Sequence, residues 1–190
     1  HADETPVAQL DPGSGKTQRA YLWAYRSNDF ELGPRIIVFD YQTSRSGKHV
    51  QNFLNKWQGH LLVDDYSGYK ALFSKTASPC TELGCWAHAR RKFFDLHQAN
   101  ASTVAYEVLQ RIGGLYAAEA EGKHLSTEAR QILRAEKSLP ILQSLHDWLL
   151  QTRFHTADGG GTAKAIDYTL KRWQSLIRYA SSGYLPIDNN

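Results

Sequence analysis

The chain has 190 residues, 42% hydrophobic and 22% charged, which suits one globular domain with room for an elaboration and excludes collagen-like, low-complexity and disordered chains. Lys and Arg number 22 against 19 Asp and Glu, so the net charge of +3 permits a polyanionic partner without arguing for one. Two cysteines exclude a disulfide-dense secreted scaffold, and apolar runs such as Ile36-Ile37-Val38-Phe39 fall far short of the roughly 20 residues of a membrane helix, so a cytoplasmic setting without a membrane partner is expected.

The opening reads as strands. One is expected near Glu4 to Leu10, a second over Ala20 to Tyr25 and a third over Arg35 to Tyr41, the last two rich in aromatic and β-branched residues. Asp11-Pro12-Gly13-Ser14-Gly15 supplies turn chemistry between the first two, and Ser27-Asn28-Asp29 opens the next connection, so a three-stranded meander is predicted. Val50, Phe53, Leu54 and Trp57 recur at helical spacing between Ser46 or Gly47 and Gly59, which predicts one amphipathic helix. Leu61-Leu62-Val63 is a short apolar run ending in Asp64-Asp65, the pattern of a buried strand with acids at its carboxyl end. A further strand is placed near Glu82 to Trp86.

From about Ala87 the apolar period is helical. Ala87 to Ala99 forms one helix. Val104, Val108, Leu109, Ile112 and Leu115 mark another, which Gly113-Gly114 is expected to weaken or kink at roughly 1 kcal/mol per glycine. Ser126 or Thr127 caps a helix through about Lys137, and Pro140 suits the first turn of the next. Beyond Gly159-Gly160-Gly161 a last helix puts Ile166, Leu170, Trp173 and Ile177 on one stripe. Trp23, Trp57, Trp86, Trp148 and Trp173 all fall in apolar periodic segments and read as core. The order β-β-β-α-β gives an α/β fold with a mixed sheet, in which a helical crossover brings the fourth strand in parallel. The helical stretch is an addition to that sheet.

The sharpest chemical constellation is Asp3 at the edge of the first strand and Asp64 at the end of the later one. Two carboxylates brought together repel unless a cation lies between them, and hard divalent metals with oxygen ligands are what such a pair recruits. Mg²⁺ or Mn²⁺ there suits phosphodiester chemistry. On spacing alone, acids at strand ends are more often plain turn residues. Gly13-Ser14-Gly15-Lys16-Thr17 imitates a phosphate-binding loop, but Leu10 stands where such a loop needs glycine, and a strand follows. Cys80, Cys85 and His88 supply three ligands where a closed zinc site needs four. Arg90, Arg91 and Lys92 are consecutive cations that point to different sides of a helix; one or two can bind DNA phosphate, and a solvated face is the plain alternative. Lys164, Lys171, Arg172 and Arg178 extend a weaker positive surface.

Four blocks carry a resemblance: His1-Ala2-Asp3-Glu4-Thr5-Pro6-Val7, Leu62-Val63-Asp64-Asp65-Tyr66-Ser67-Gly68-Tyr69, Gly84-Cys85-Trp86-Ala87-His88-Ala89-Arg90-Arg91-Lys92-Phe93, and Pro186-Ile187-Asp188-Asn189-Asn190. In this order, across nearly the whole chain, they resemble the DDE transposases of the insertion sequence sixty-six family. The resemblance implies an RNase H-like core over residues 1–99, a helical insertion over 100–182, and the start of the final core helix at 183–190. It makes Asp3 and Asp64 the first two catalytic aspartates, holding two Mg²⁺ or Mn²⁺ ions. The third acid, a glutamate, is expected a few residues past Asn190. His88 becomes an active-site neighbour, although a packed histidine at a helix start fits equally well. Asp65 departs from the family, which usually shows glycine there.

The activity so implied is DNA cleavage at element ends followed by strand transfer. Partners are element-end and target DNA, further copies of the protein on DNA, and accessory proteins of the same element, in a bacterial cytoplasm at the nucleoid. Opening on His1 and stopping at Asn190, the chain reads as a piece of a longer protein, expected to be weakly active or inactive alone. An RNase H-like nuclease and a non-catalytic DNA-binding or assembly module are the rival readings.

Overall fold

A computed structural model describes residues 1–30, 33–74 and 79–189. The chain divides into two compact units, His1–Leu83 and Gly84–Asn190.

In the first unit, β1 (Ala2–Asp11) and β2 (Lys16–Arg26) form an antiparallel hairpin in register from Ala2 opposite Tyr25 to Asp11 opposite Lys16. Its turn needs left-handed backbone at Gly13 (φ 87°) and Gly15 (φ 66°), which glycine adopts without a Cβ penalty. β3 (Ile37–Gln42) pairs with the other edge of β2, so the meander forms as expected. The helix α1 (Gly47–Phe53) is capped by Ser46, whose side chain accepts from Lys48 N. β4 (Gly59–Val63) and β5 (Cys80–Gly84) pair with each other. Alternation along the strands turns Ala2, Glu4, Trp23 and Tyr25 inward, and the core they start is completed by Val50, Leu54, Leu61, Val63 and Tyr69. The Trp23 and Tyr69 rings meet edge-on at 5.9 Å. Beyond Ala20 the hairpin outruns this core: Ala8 to Leu10 and Lys16 to Arg19 are exposed.

Two expectations for this unit are corrected. The single mixed sheet is instead a three-stranded antiparallel sheet and a separate two-stranded one, with β4 lying against β1 outside its hydrogen-bond ladder. Pro6 withholds an N–H from β1, as suits an edge strand. Trp57 is not a core residue: α1 ends at Phe53, and Trp57, 38% exposed, covers Gly59 instead, where a Cβ would lie 3.3 Å from the indole. Phe53 leaves the core as well and stacks on Tyr25 at 3.9 Å.

The second unit is helical: α2 (Lys70–Phe73) belongs to the first unit, and α3 (Trp86–Asn100), α4 (Thr103–Glu121), α5 (Thr127–Leu133), α6 (Leu139–Phe154), α7 (Gly161–Lys171) and α8 (Trp173–Ile177) follow. Ser102 and Ser126 cap α4 and α5 by accepting from Ala105 N and Ala129 N, each at 3.2 Å. Trp86, Phe93, Ile112, Leu115, Leu145, Leu149 and Ile166 are fully buried between the helices. Gly113-Gly114 does not break α4. A Cβ on Gly114 would come within 3.0 Å of Ile141 Cδ1, so close packing accounts for that glycine. A π-helical turn, Arg134–Ser138, joins α5 to α6 just before Pro140, where a widened turn accommodates a residue without an N–H. The single last helix is in fact two, α7 and α8, divided at Arg172, whose carbonyl accepts from Ser175 Oγ.

Two arginines fasten the chain that leaves α8. Arg134 is fully buried; its Nη1 lies 2.6 to 2.8 Å from the carbonyls of Tyr179, Ser182 and Leu185, and its other donors grip Glu119. Arg130 donates to the carbonyls of Gly122, Leu125 and Gly183. Residues 183–189, where the last core helix was expected to start, are turns and irregular chain. The carbonyls of Gly183, Leu185 and Ile187 go to Arg130, Arg134 and Trp86 N and are not free for helical pairing. No helix among the described residues is long and apolar enough to cross a membrane.

Candidate functional site

The acids of the first unit stand where strand geometry puts them. Leu61, Leu62 and Val63 are buried, which fixes β4 so that Asp64 emerges at its carboxyl end. Asp64 Oδ1 accepts from Tyr66 N at 2.8 Å and so shapes the turn into the short 3₁₀ helix Ser67–Tyr69. Asp3 lies opposite Ala24 on the face of β1 away from Glu4, exposed, with Oδ1 accepting from Glu4 N at 2.9 Å.

Glu4 ties these elements together. Its side chain is 1% exposed, takes a 2.8 Å bond from Arg45 Nε and a second from Arg45 Nη2, and accepts from the Tyr69 hydroxyl at 2.5 Å. Arg45 in turn sits 3.9 Å over the Tyr66 ring, and the Tyr66 hydroxyl donates to the Arg45 carbonyl. Burial pushes the Glu4 carboxyl above its ordinary value and the Asp64 charge adds to this, against the pull of Tyr69 and Arg45. The Tyr69 hydroxyl is pushed up by burial first, then by Glu4, Asp64 and Asp3, so it stays a donor. Both aspartates therefore bear on one buried hydroxyl. Glu4 and Tyr69 escaped the sequence reading; the signal present was the phase of β1, in which Glu4 falls on the same side as Ala2. Asp65 faces elsewhere, toward Lys70 Nζ at 3.3 Å.

Oxygen donors of this kind fit Mg²⁺ or Mn²⁺, and Mg²⁺ is commonly held by one or two carboxylates plus substrate phosphate and water. No group of three or more His, Cys, Asp or Glu suited to a metal occurs among the described residues. Asp3 and Asp64 are two oxygen donors of this type and do not by themselves make such a group.

In the second unit, His88 lies in the first turn of α3, half-buried, and its Nδ1 has no partner among the described residues. Cys85 caps that helix from outside and its thiol donates to Asn189 Oδ1 at 3.0 Å; burial pushes the thiol up, which disfavours a metal-binding thiolate. The cationic run divides. Arg90 and Arg91 line a cleft of about 460 Å³ together with Phe94, Gly113, Tyr116 and Asp188, whereas Lys92 Nζ lies 4.3 Å over the Tyr168 ring. The Tyr116 hydroxyl donates to Asp188 Oδ2 at 2.5 Å, and burial, then Asp188, keep it protonated. Arg172 is 5% exposed and adds nothing to a positive surface, while Lys164 and Lys171 are exposed.

The family model described as "Transposase IS66 family" matches residues 1–190. Among curated proteins, y4qI of Sinorhizobium fredii is 37% identical over 197 residues, covering all of this chain and 36% of its own length. The y4jD protein of the same organism is 33% identical over 196 residues, again across the whole chain and 38% of its own length. Both carry the description "uncharacterized protein". The chain spans little more than a third of these relatives. No solved structure matches it significantly.

Proposed function

Since the chain belongs to the IS66 transposase family, we propose that it is the part of a DNA transposase in which Asp3 and Asp64 hold divalent ions for phosphodiester cleavage and strand transfer, in an RNase H-like core. The observation that supports this reading is that β4, which ends at Asp64, lies against β1, which carries Asp3, so that both charges act on the buried Tyr69 hydroxyl to which Glu4 is bonded. Bound Mg²⁺ or Mn²⁺ would activate the attacking hydroxyl and neutralise the leaving oxygen. The chain's own residues do the positioning. Asp64 Oδ1 accepts from Tyr66 N and Asp3 Oδ1 from Glu4 N, which orients both carboxylates. Glu4, Arg45 and Tyr69 keep β1 and the 64–69 turn in fixed relation.

A third carboxylate is expected beyond Asn190, in keeping with the resemblance of the Asp188-Asn189 block. Arg90, Arg91 and Lys92 serve DNA binding. Element-end and target DNA are the substrates; the protein works as an oligomer on DNA with accessory proteins of its element, in the bacterial cytoplasm.

The test is cleavage and joining of element-end DNA by the full-length protein with Mg²⁺. Asp3→Asn and Asp64→Asn should each abolish both products. Cleavage without joined products would convert the reading to a nuclease, and DNA binding indifferent to both substitutions, without any cleavage, to an assembly module.

A further inference from the structure

The α3–α4 cleft has a chemistry of its own. Arg90 and Arg91 enter it from α3, and neither has an ion pair or hydrogen bond among the described residues. Other arginines of the same unit are engaged: Arg111 and Arg153 with carboxylates, Arg130 with carbonyls, Arg134 with both. Two guanidiniums without an acid partner in a concave site, that of Arg90 lying 5.7 Å over the Phe94 ring, suit an oxyanion gripped by forked donors. An anion alone is nevertheless a poor match, because Asp188 lines the same cleft. Its carboxylate accepts from the Tyr116 hydroxyl, and a carboxylate offers about four lone-pair sites, so one can accept from more than one donor. A ligand with phosphate at one end and ring donors at the other satisfies both walls, and Phe94, 42% exposed, adds an aromatic surface.

Gly113 points the same way. A Cβ there would meet nothing within 4 Å, so no protein neighbour excludes a side chain, yet glycine is the least favourable residue other than proline inside a helix. What the missing side chain leaves is room in the cleft. We propose that the α3–α4 cleft holds one unpaired nucleotide of a DNA strand, its phosphate at Arg90 and Arg91 and the donor edge of its base at Asp188. The volume of about 460 Å³ is that of a small-ligand site and too small for a duplex, and an aspartate accepting from a base amino group is an established mode of base reading. The choice of DNA rests on the transposase reading above.

The experiment is fluorescence anisotropy of a short labelled single strand titrated with the full chain in EDTA, so that no catalytic metal is needed. Gly113→Leu should lower single-strand affinity by about tenfold or more, the range of one lost base contact, while melting no earlier than the unaltered protein. The double variant Arg90→Ala, Arg91→Ala, whose side chains are exposed, should reduce the salt slope by about 0.7, the value for one phosphate on a single strand. Unchanged affinity in either variant overturns the proposal, as does an equal loss for duplex DNA. Inorganic phosphate is the control for the anion alone: displacement of the labelled strand by phosphate as readily as by unlabelled strand would also overturn it. Asp64→Asn, in the same assay, should bind as the unaltered protein does. If Asp64→Asn retains cleavage while the cleft variants lose binding, the catalytic reading fails and the cleft assignment stands.

Discussion

The first unit buries an anion and the second buries cations, and the sign in each follows from what the neighbouring irregular chain has to offer. The turn at 64–69 presents a hydroxyl donor from Tyr69, and the buried group that receives it is Glu4. The segment at 179–185 presents backbone acceptors from Tyr179, Ser182, Gly183 and Leu185, and the groups that satisfy them are Arg134 and Arg130. The two solutions differ in their exits. Arg45, the partner of Glu4, is 43% exposed and can turn to water, whereas Arg134 is enclosed and its partner Glu119 is 13% exposed. The first unit is therefore built to hold charge near solvent, the second to lock a segment in place.

The contrast breaks most severely at the chemistry. Asp64→Asn in the full-length protein should lower the rate of DNA cleavage by about 10² to 10³ or more, the scale of losing one charge-stabilising group. Urea denaturation should find its stability unchanged or slightly raised, because the Asp64 charge works against Glu4. Next in size is Arg134→Leu. Removing it strands Glu119 and three carbonyls, and the urea midpoint should fall by the equivalent of about 3 to 5 kcal/mol. Glu4→Gln, measured the same way, should cost less, about 1 to 3 kcal/mol, since Arg45 can be hydrated once its partner is neutral. A cost equal to that of Arg134→Leu would erase the distinction between the units. The smallest effect sharpens the second unit alone: Gly113→Ala should gain about 1 kcal/mol in a thermal melt. Gly114→Ala should gain less or lose, because Ile141 must give way.

Much of this was legible in the chain. Leu61-Leu62-Val63 announced a buried strand, and Asp64 stands at its end; the alternation of Trp23 and Tyr25 and the caps at Ser46 and Ser126 also follow from residue type and spacing. What escaped was decided by partners distant in sequence. Glu4 is buried because Arg45 and Tyr69 come to it, and a local pattern assigns such a glutamate to the surface. Arg134 is buried by main-chain carbonyls, which no side-chain pattern encodes. Gly113-Gly114 is expected to weaken or kink a helix because propensity is summed locally; α4 nevertheless runs unbroken from Thr103 to Glu121, with Gly114 packed against Ile141. Trp57 looked like core because its spacing continued that of α1 past the helix end.

The β1–β2 hairpin carries a last consequence. Its root is anchored by Trp23 and Tyr25, while the outer rungs from Ala8 to Arg19 have solvent on both faces. Deuterium should replace the amide protons of those outer rungs first and reach the root only with opening of the whole unit, so that protection climbs stepwise from the tip toward Asp3.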